Sequence, residues 1–196
     1  MSISNYTELV NTIKAWSARS DIDTVMDDII TLAEKHINDI IKINEVKTRT
    51  VLSTVPGNNY VILPTDFNKV ISVKIGGKSL GFYTNNQEGV FNSQNTGEPF
   101  YGYTLEGNKL YTLPLNTSSD VELVYYKKLT PITPSNPTNE VLTAYPNIYH
   151  KACLLYTHEF AHNVEMFASY SALLDTEVSR ANSNSFNMAN ATLVMR

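Results

Sequence analysis

This sequence predicts a mixed α+β fold, in which a helical bundle carries an inserted antiparallel β module. Three observations point to it. Apolar residues recur at helical spacing through residue 46 and again from residue 139. Between them, over 47–128, the period drops to two and turn residues interrupt it repeatedly. A Pro-rich run, LTPITPSNPT at 129–138, then separates the alternating part from the second helical part as a semi-rigid connector. The expected order is therefore bundle helices at 1–46, the β module at 47–128, the connector at 129–138, a helical pair at 139–182 and an extended tail at 183–196.

The first helix is expected over 5–17, with Leu9, Val10, Ile13 and Trp16 inward and Ser4 or Asn5 as cap. Trp16, the single tryptophan, is expected to anchor it to the core. After the polar turn SARSDID, Asp21 or Asp23 caps a second helix at 24–42. Its apolar face comprises Val25, Ile29, Leu32, Ala33, His36, Ile37, Ile40 and Ile41, with His36 as a satisfied, half-buried histidine. Strands follow at 48–55, 60–63 and 69–75, with a turn at 56–59. Gly76-Gly77 closes a tight hairpin into 78–83. Residues 84–98, rich in Asn and Gly, read as a long exposed loop. Strands 100–105 and 109–113 pair across Glu106-Gly107-Asn108, and 121–127 is the last strand.

Pro146 suits the first turn of the next helix, where its missing N–H costs nothing. Tyr149, Ala152, Cys153, Tyr156 and Phe160 form its apolar stripe. A break at His162-Asn163 precedes a helix with Val164, Phe167, Ala168, Ser171, Leu174 and Val178 on its apolar face. The short link makes the pair antiparallel. Beyond Ala181 the period is lost, yet Phe186, Met188, Leu193, Val194 and Met195 are too apolar for a solvated tail. These five are the candidate docking residues, since a terminal segment of this kind often docks on a partner.

Composition narrows the function. Net charge is −4, so affinity for nucleic acid through phosphate neutralisation is not expected. Twelve tyrosines and a low charged fraction, 17%, suit a surface that meets other proteins. Cys153 is the one cysteine, so no intrachain disulfide forms, a reducing compartment is the simplest origin, and helical spacing makes it a small core residue. The N-terminus lacks a cationic start with an apolar run, and no apolar stretch reaches membrane-spanning length, so a soluble protein is expected. No Gly-rich phosphate loop or nucleophile elbow occurs, and no cofactor is expected.

One catalytic motif does occur. His158-Glu159-Phe160-Ala161-His162 matches H-E-x-x-H, which on a helix places two imidazoles one turn apart for zinc beside a general base. Its context argues against that chemistry. His158 shares a face with Lys151, His162 and Glu165, opposite the aromatic stripe. No third histidine follows, and Asn163 is placed to end the helix at the second ligand. The expectation is therefore no catalytic residue and no metal. A small zinc-dependent hydrolase and a soluble protein-binding module are the alternative readings.

The order of several phrases resembles the head-to-tail adaptor (connector, or tail accessory) proteins of tailed bacteriophages. They are NYTELVNTIKAWSARSD, DDIITLAEKHINDIIK, YVILPTDFNKVISVKIGG, YGYTLEGNKLYTLP, VELVYYKKL and AYPNIYHKACLLYTHEFA. The resemblance implies a structural virion protein at the head–tail junction, present in the host cytoplasm during assembly. It implies a homo-oligomeric ring, commonly a dodecamer, between the portal protein and downstream tail proteins. Double-stranded DNA would pass through the lumen without specific binding, and neither catalysis nor a membrane would be involved. Loop 84–98 and the C-terminal tail match nothing in the family pattern.

Overall fold

The computed structural model describes residues 3–53, 60–84, 101–113 and 120–194, with 188–194 traced by backbone alone. The expected turn at 56–59, loop residues 85–98, Phe100 and Met195 lie outside the described residues. The fold is mixed α+β, as expected, with helices at both ends of the chain and two four-stranded sheets between them. It divides into a helical unit, Met1–Val46 with Lys128–Arg196, and a β unit, Lys47–Lys127.

In the helical unit, α1 (Tyr6–Ser17) opens on Asn5, whose side chain accepts the Glu8 backbone N–H at 3.0 Å. The Glu8 carboxylate reaches back to the Ser4 N–H and hydroxyl, both at 2.8 Å, so first-turn donors and acceptors satisfy one another. The helix stops at Ala18, in the left-handed region with φ 50°. The aspartates that follow do not cap α2 (Met26–Ile40). Asp23 pairs with Lys14 at 3.0 Å and Asp21 with Arg19 at 2.5 Å, so they fasten the loop and the helix begins later than expected. The buried face of α2 runs through Met26, Ile30, Ala33 and Ile37, which leaves Leu32 exposed.

A short helix that periodicity did not reveal, α3 (Glu140–Ala144), leads into α4 (Pro146–Phe160) and the long α5 (Val164–Val194). The extended tail expected at 183–196 is thus corrected: the chain stays helical through Val194. No Gly or Pro occurs in that stretch, so nothing interrupts a helix already under way. Asn182, just before this stretch, and Ser185 within it are also tied to the segment after α2. Asn182 Oδ1 accepts the Lys42 N–H at 2.7 Å, and Ser185 Oγ accepts the Asn44 N–H at 2.6 Å. The buried stripe of α5 is Tyr170, Leu174, Val178, Ala181 and Ser185, at helical spacing. Val164, expected on that stripe, is 79% exposed, and Ala168 is exposed too.

The β unit holds β1 (Lys47–Leu52), β2 (Tyr60–Ile62), β3 (Phe67–Ile75), β4 (Lys78–Ser79), β5 (Gly81–Phe82), β6 (Gly102–Glu106), β7 (Lys109–Leu113) and β8 (Val121–Lys127). One sheet has the order β1-β8-β3-β4 and the other β2-β7-β6-β5. Inward residues at alternate positions, among them Val73, Leu110, Val121 and Leu123, share one core. Gly76 and Gly77, at φ 54° and 79°, supply the two left-handed positions of the expected tight hairpin, with Ile75 opposite Lys78. The single strand expected at 78–83 is split. Leu80 donates its N–H to Val73 O, whereas Gly81 donates to Tyr101 O, so the chain changes sheets at this buried leucine. As a result β5 lies parallel to β6, while the other strand pairs are antiparallel.

Candidate docking surface

The helical unit is locked by a buried polar group that hydrophobic patterning did not single out. Glu34 sits on the apolar face of α2 and its Oε1 accepts two hydrogen bonds, from the Ile132 N–H at 2.8 Å and the Tyr149 hydroxyl at 3.0 Å. Tyr149 in turn accepts from Asn139 Nδ2 at 2.6 Å. Asn139 also donates to Thr130 O and caps α3 by accepting the Leu142 N–H. With Leu129 N–H donating to Asn38, the Pro-rich connector is laced onto α2. Burial raises the Glu34 carboxyl above its ordinary range, against the lowering effect of its two donors. The signal was present in the sequence as an acid between Ile30 and Ile37 on a buried face. His36, by contrast, lies as expected, half-buried with Nδ1 3.2 Å from the Tyr156 hydroxyl.

The H-E-x-x-H residues fall at the turn between α4 and α5. Helix α4 ends at Phe160, and His162 has left-handed φ, 52°, so the two histidines do not occupy successive turns of one helix. Asn163 starts the second helix, accepting the Met166 N–H at 3.1 Å. His158, Glu159 and His162 line a shallow pocket of about 250 Å³. The His158 ring stacks on Tyr170 at 5.1 Å, which commits one face of it to packing. Among the described residues no three His, Cys, Asp or Glu side chains are grouped as a metal site would need. Cys153 is fully buried, and burial raises its thiol far above the reactive range.

Trp16 corrects another expectation. It is 57% exposed and lies edge-on to buried His150, 4.7 Å between ring centroids. Lys151 Nζ sits over both Trp16 and Tyr170, at 5.3 and 5.5 Å. The exposed Trp16 ring, with half-buried Lys151 beside it, is an aromatic of the kind enriched where proteins dock. Burial, with Lys151 adjacent, pushes the His150 pKa down to about 4. Its proton is therefore bound more weakly in the folded chain than in the unfolded one. The stability this gives is complete above the ordinary histidine pKa, 6.5, and is lost as pH falls from there towards 4. His150→Phe should flatten this acid-side loss, as read by thermal midpoints across that range.

Of the five candidate docking residues, Phe186 stands 67% exposed on α5. Met188, Leu193 and Val194 fall on the last turns of the same helix, where only the backbone is described, and Met195 lies outside the described residues. Other large apolar side chains are exposed at the α4–α5 turn, where Phe160 and Val164 stand. No helix of the described residues is long and apolar enough to cross a membrane.

Large apolar side chains turned outward at Phe160, Val164 and Phe186 suit contact with other proteins, as a structural adaptor makes. A family model for the SU10 adaptor protein matches residues 4–196, and the chain belongs to that family of phage head–tail adaptors, which is structural rather than catalytic. No curated protein matches the chain.

Proposed function

We propose that this adaptor forms a homo-oligomeric ring, a dodecamer, between the portal protein and the downstream tail proteins of a tailed phage. Its place is the head–tail junction of the virion, reached from the host cytoplasm during assembly. The observation that carries the reading is the long helix α5, which presents exposed Phe186 and carries Met188, Leu193 and Val194 on its last turns, with Met195 next in the sequence. These five form the docking arm. Burying each on a partner contributes roughly 1.5–3 kcal/mol. An arm that is already helical loses less backbone freedom on docking than a coil, for which ordering costs about 1–2 kcal/mol per residue. Many arms on one ring then add through multivalency.

Double-stranded DNA passes through the ring without being held. A chain with net charge −4 lacks the excess of Lys and Arg that would track phosphates with high affinity. The test is electron microscopy of the full chain mixed with its purified portal. Rings seated on portals are the expected result, and portals that stay bare at saturating adaptor would overturn the proposal.

A further inference from the structure

The charge of this chain is unevenly divided. The β unit, Lys47–Lys127, holds seven Lys and Arg against six Asp and Glu, and the helical unit holds eight against thirteen. Their net charges are thus +1 and −5. Within the β unit the cations are also concentrated. Strand register places Lys47 and Arg49 of β1 and Lys69 and Lys74 of β3 on the outer face of one sheet, flanking Val124 and Tyr126 of β8. Lys47 and Arg49 are exposed, and they and Lys74 have no carboxylate partner among the described residues.

We propose that this sheet face docks on the acidic helical unit of a neighbouring copy of the chain. The counter-charge that the face requires is carried by the same polypeptide, so a second copy complements it. A duplex fits less well. The face holds Glu122 among its cations, Val51 is 56% exposed beside Arg49, and Ile71 is exposed on the bulge of β3. An apolar and tyrosine centre with a polar rim that includes Arg is the make-up of a protein interface, and the chain as a whole repels phosphate. Two different surfaces meet in such a contact. Repetition therefore gives a head-to-tail series that closes into a ring when the rotation allows.

This inference deepens the ring reading above, and its test separates the two. Sedimentation velocity of the full chain should show self-association about tenfold stronger at ~50 mM than at ~200 mM salt. Arg49→Glu with Lys74→Glu should be monomeric at both salt levels. Arg49→Gln with Lys74→Gln should lie between, and all should share the wild-type thermal midpoint. The Glu variant keeps its helical unit, so added in small amounts it should cap wild-type assemblies and shorten them. Wild-type chain that stays monomeric at low salt, or Glu variants that associate equally well, would overturn the proposal. So would a random-sequence DNA duplex that wild type shifts and the Glu variant does not. If the Glu variant still forms rings on portals, this contact is wrong and the ring reading stands.

Discussion

Glu34→Ala should lower the unfolding free energy by about 2–4 kcal/mol, because it strands the Ile132 N–H and the Tyr149 hydroxyl in a buried site. Glu34→Gln keeps the accepting oxygen and removes the titration, so it should be within about 1 kcal/mol of wild type at neutral pH. The folded carboxyl holds its proton more tightly than the unfolded one. Its contribution is therefore complete below the ordinary glutamate pKa, about 4.3, and declines as pH rises through the raised folded value. That decline should be absent in Glu34→Gln. Urea unfolding at a series of pH values checks both variants, and an alanine variant as stable as wild type would show that the connector is held elsewhere.

The second large effect concerns the C-terminus. Truncation after Asn187, removing 188–196, should leave the thermal midpoint unchanged and abolish decoration of portals. The cut is placed there because Ser185 holds Asn44 in the chain segment after α2, so removal from residue 183 would damage the fold as well as the arm. Portals decorated normally by the truncated chain would move the docking role to another surface, with loop 84–98 next in line.

What the sequence made legible was mostly what repeats. Period-two and helical spacing located the strands and the long helices, and Gly76-Gly77 marked its hairpin, because these follow from local backbone geometry. The break at His162-Asn163 was also legible, since Asn163 reads as a helix-boundary residue. Trp16 was misread because amphipathic spacing says which face of a helix is apolar and not what covers it. The tail was misread because it lacks an apolar stripe, whereas its helicity comes from continuity with α5 and from polar anchors. Glu34 was overlooked for a related reason. Its partners lie far along the chain, at Ile132 and Tyr149, and only folding brings them together.

The strands by which the chain enters and leaves the β unit are neighbours in one ladder, with Lys47 opposite Tyr126. Paired residues of an antiparallel ladder stand only ~5 Å apart. Once this unit has folded, the rest of the polypeptide therefore meets it as a tether no longer than a tight turn. Bringing Asn44 to Ser185 then involves closing a far shorter effective loop, which lowers the entropy opposing that step. It also makes the β unit a removable cassette: a few glycines and serines joining Val46 to Lys128 span the same gap, and the two helical segments can be grafted around another sheet whose termini lie equally close.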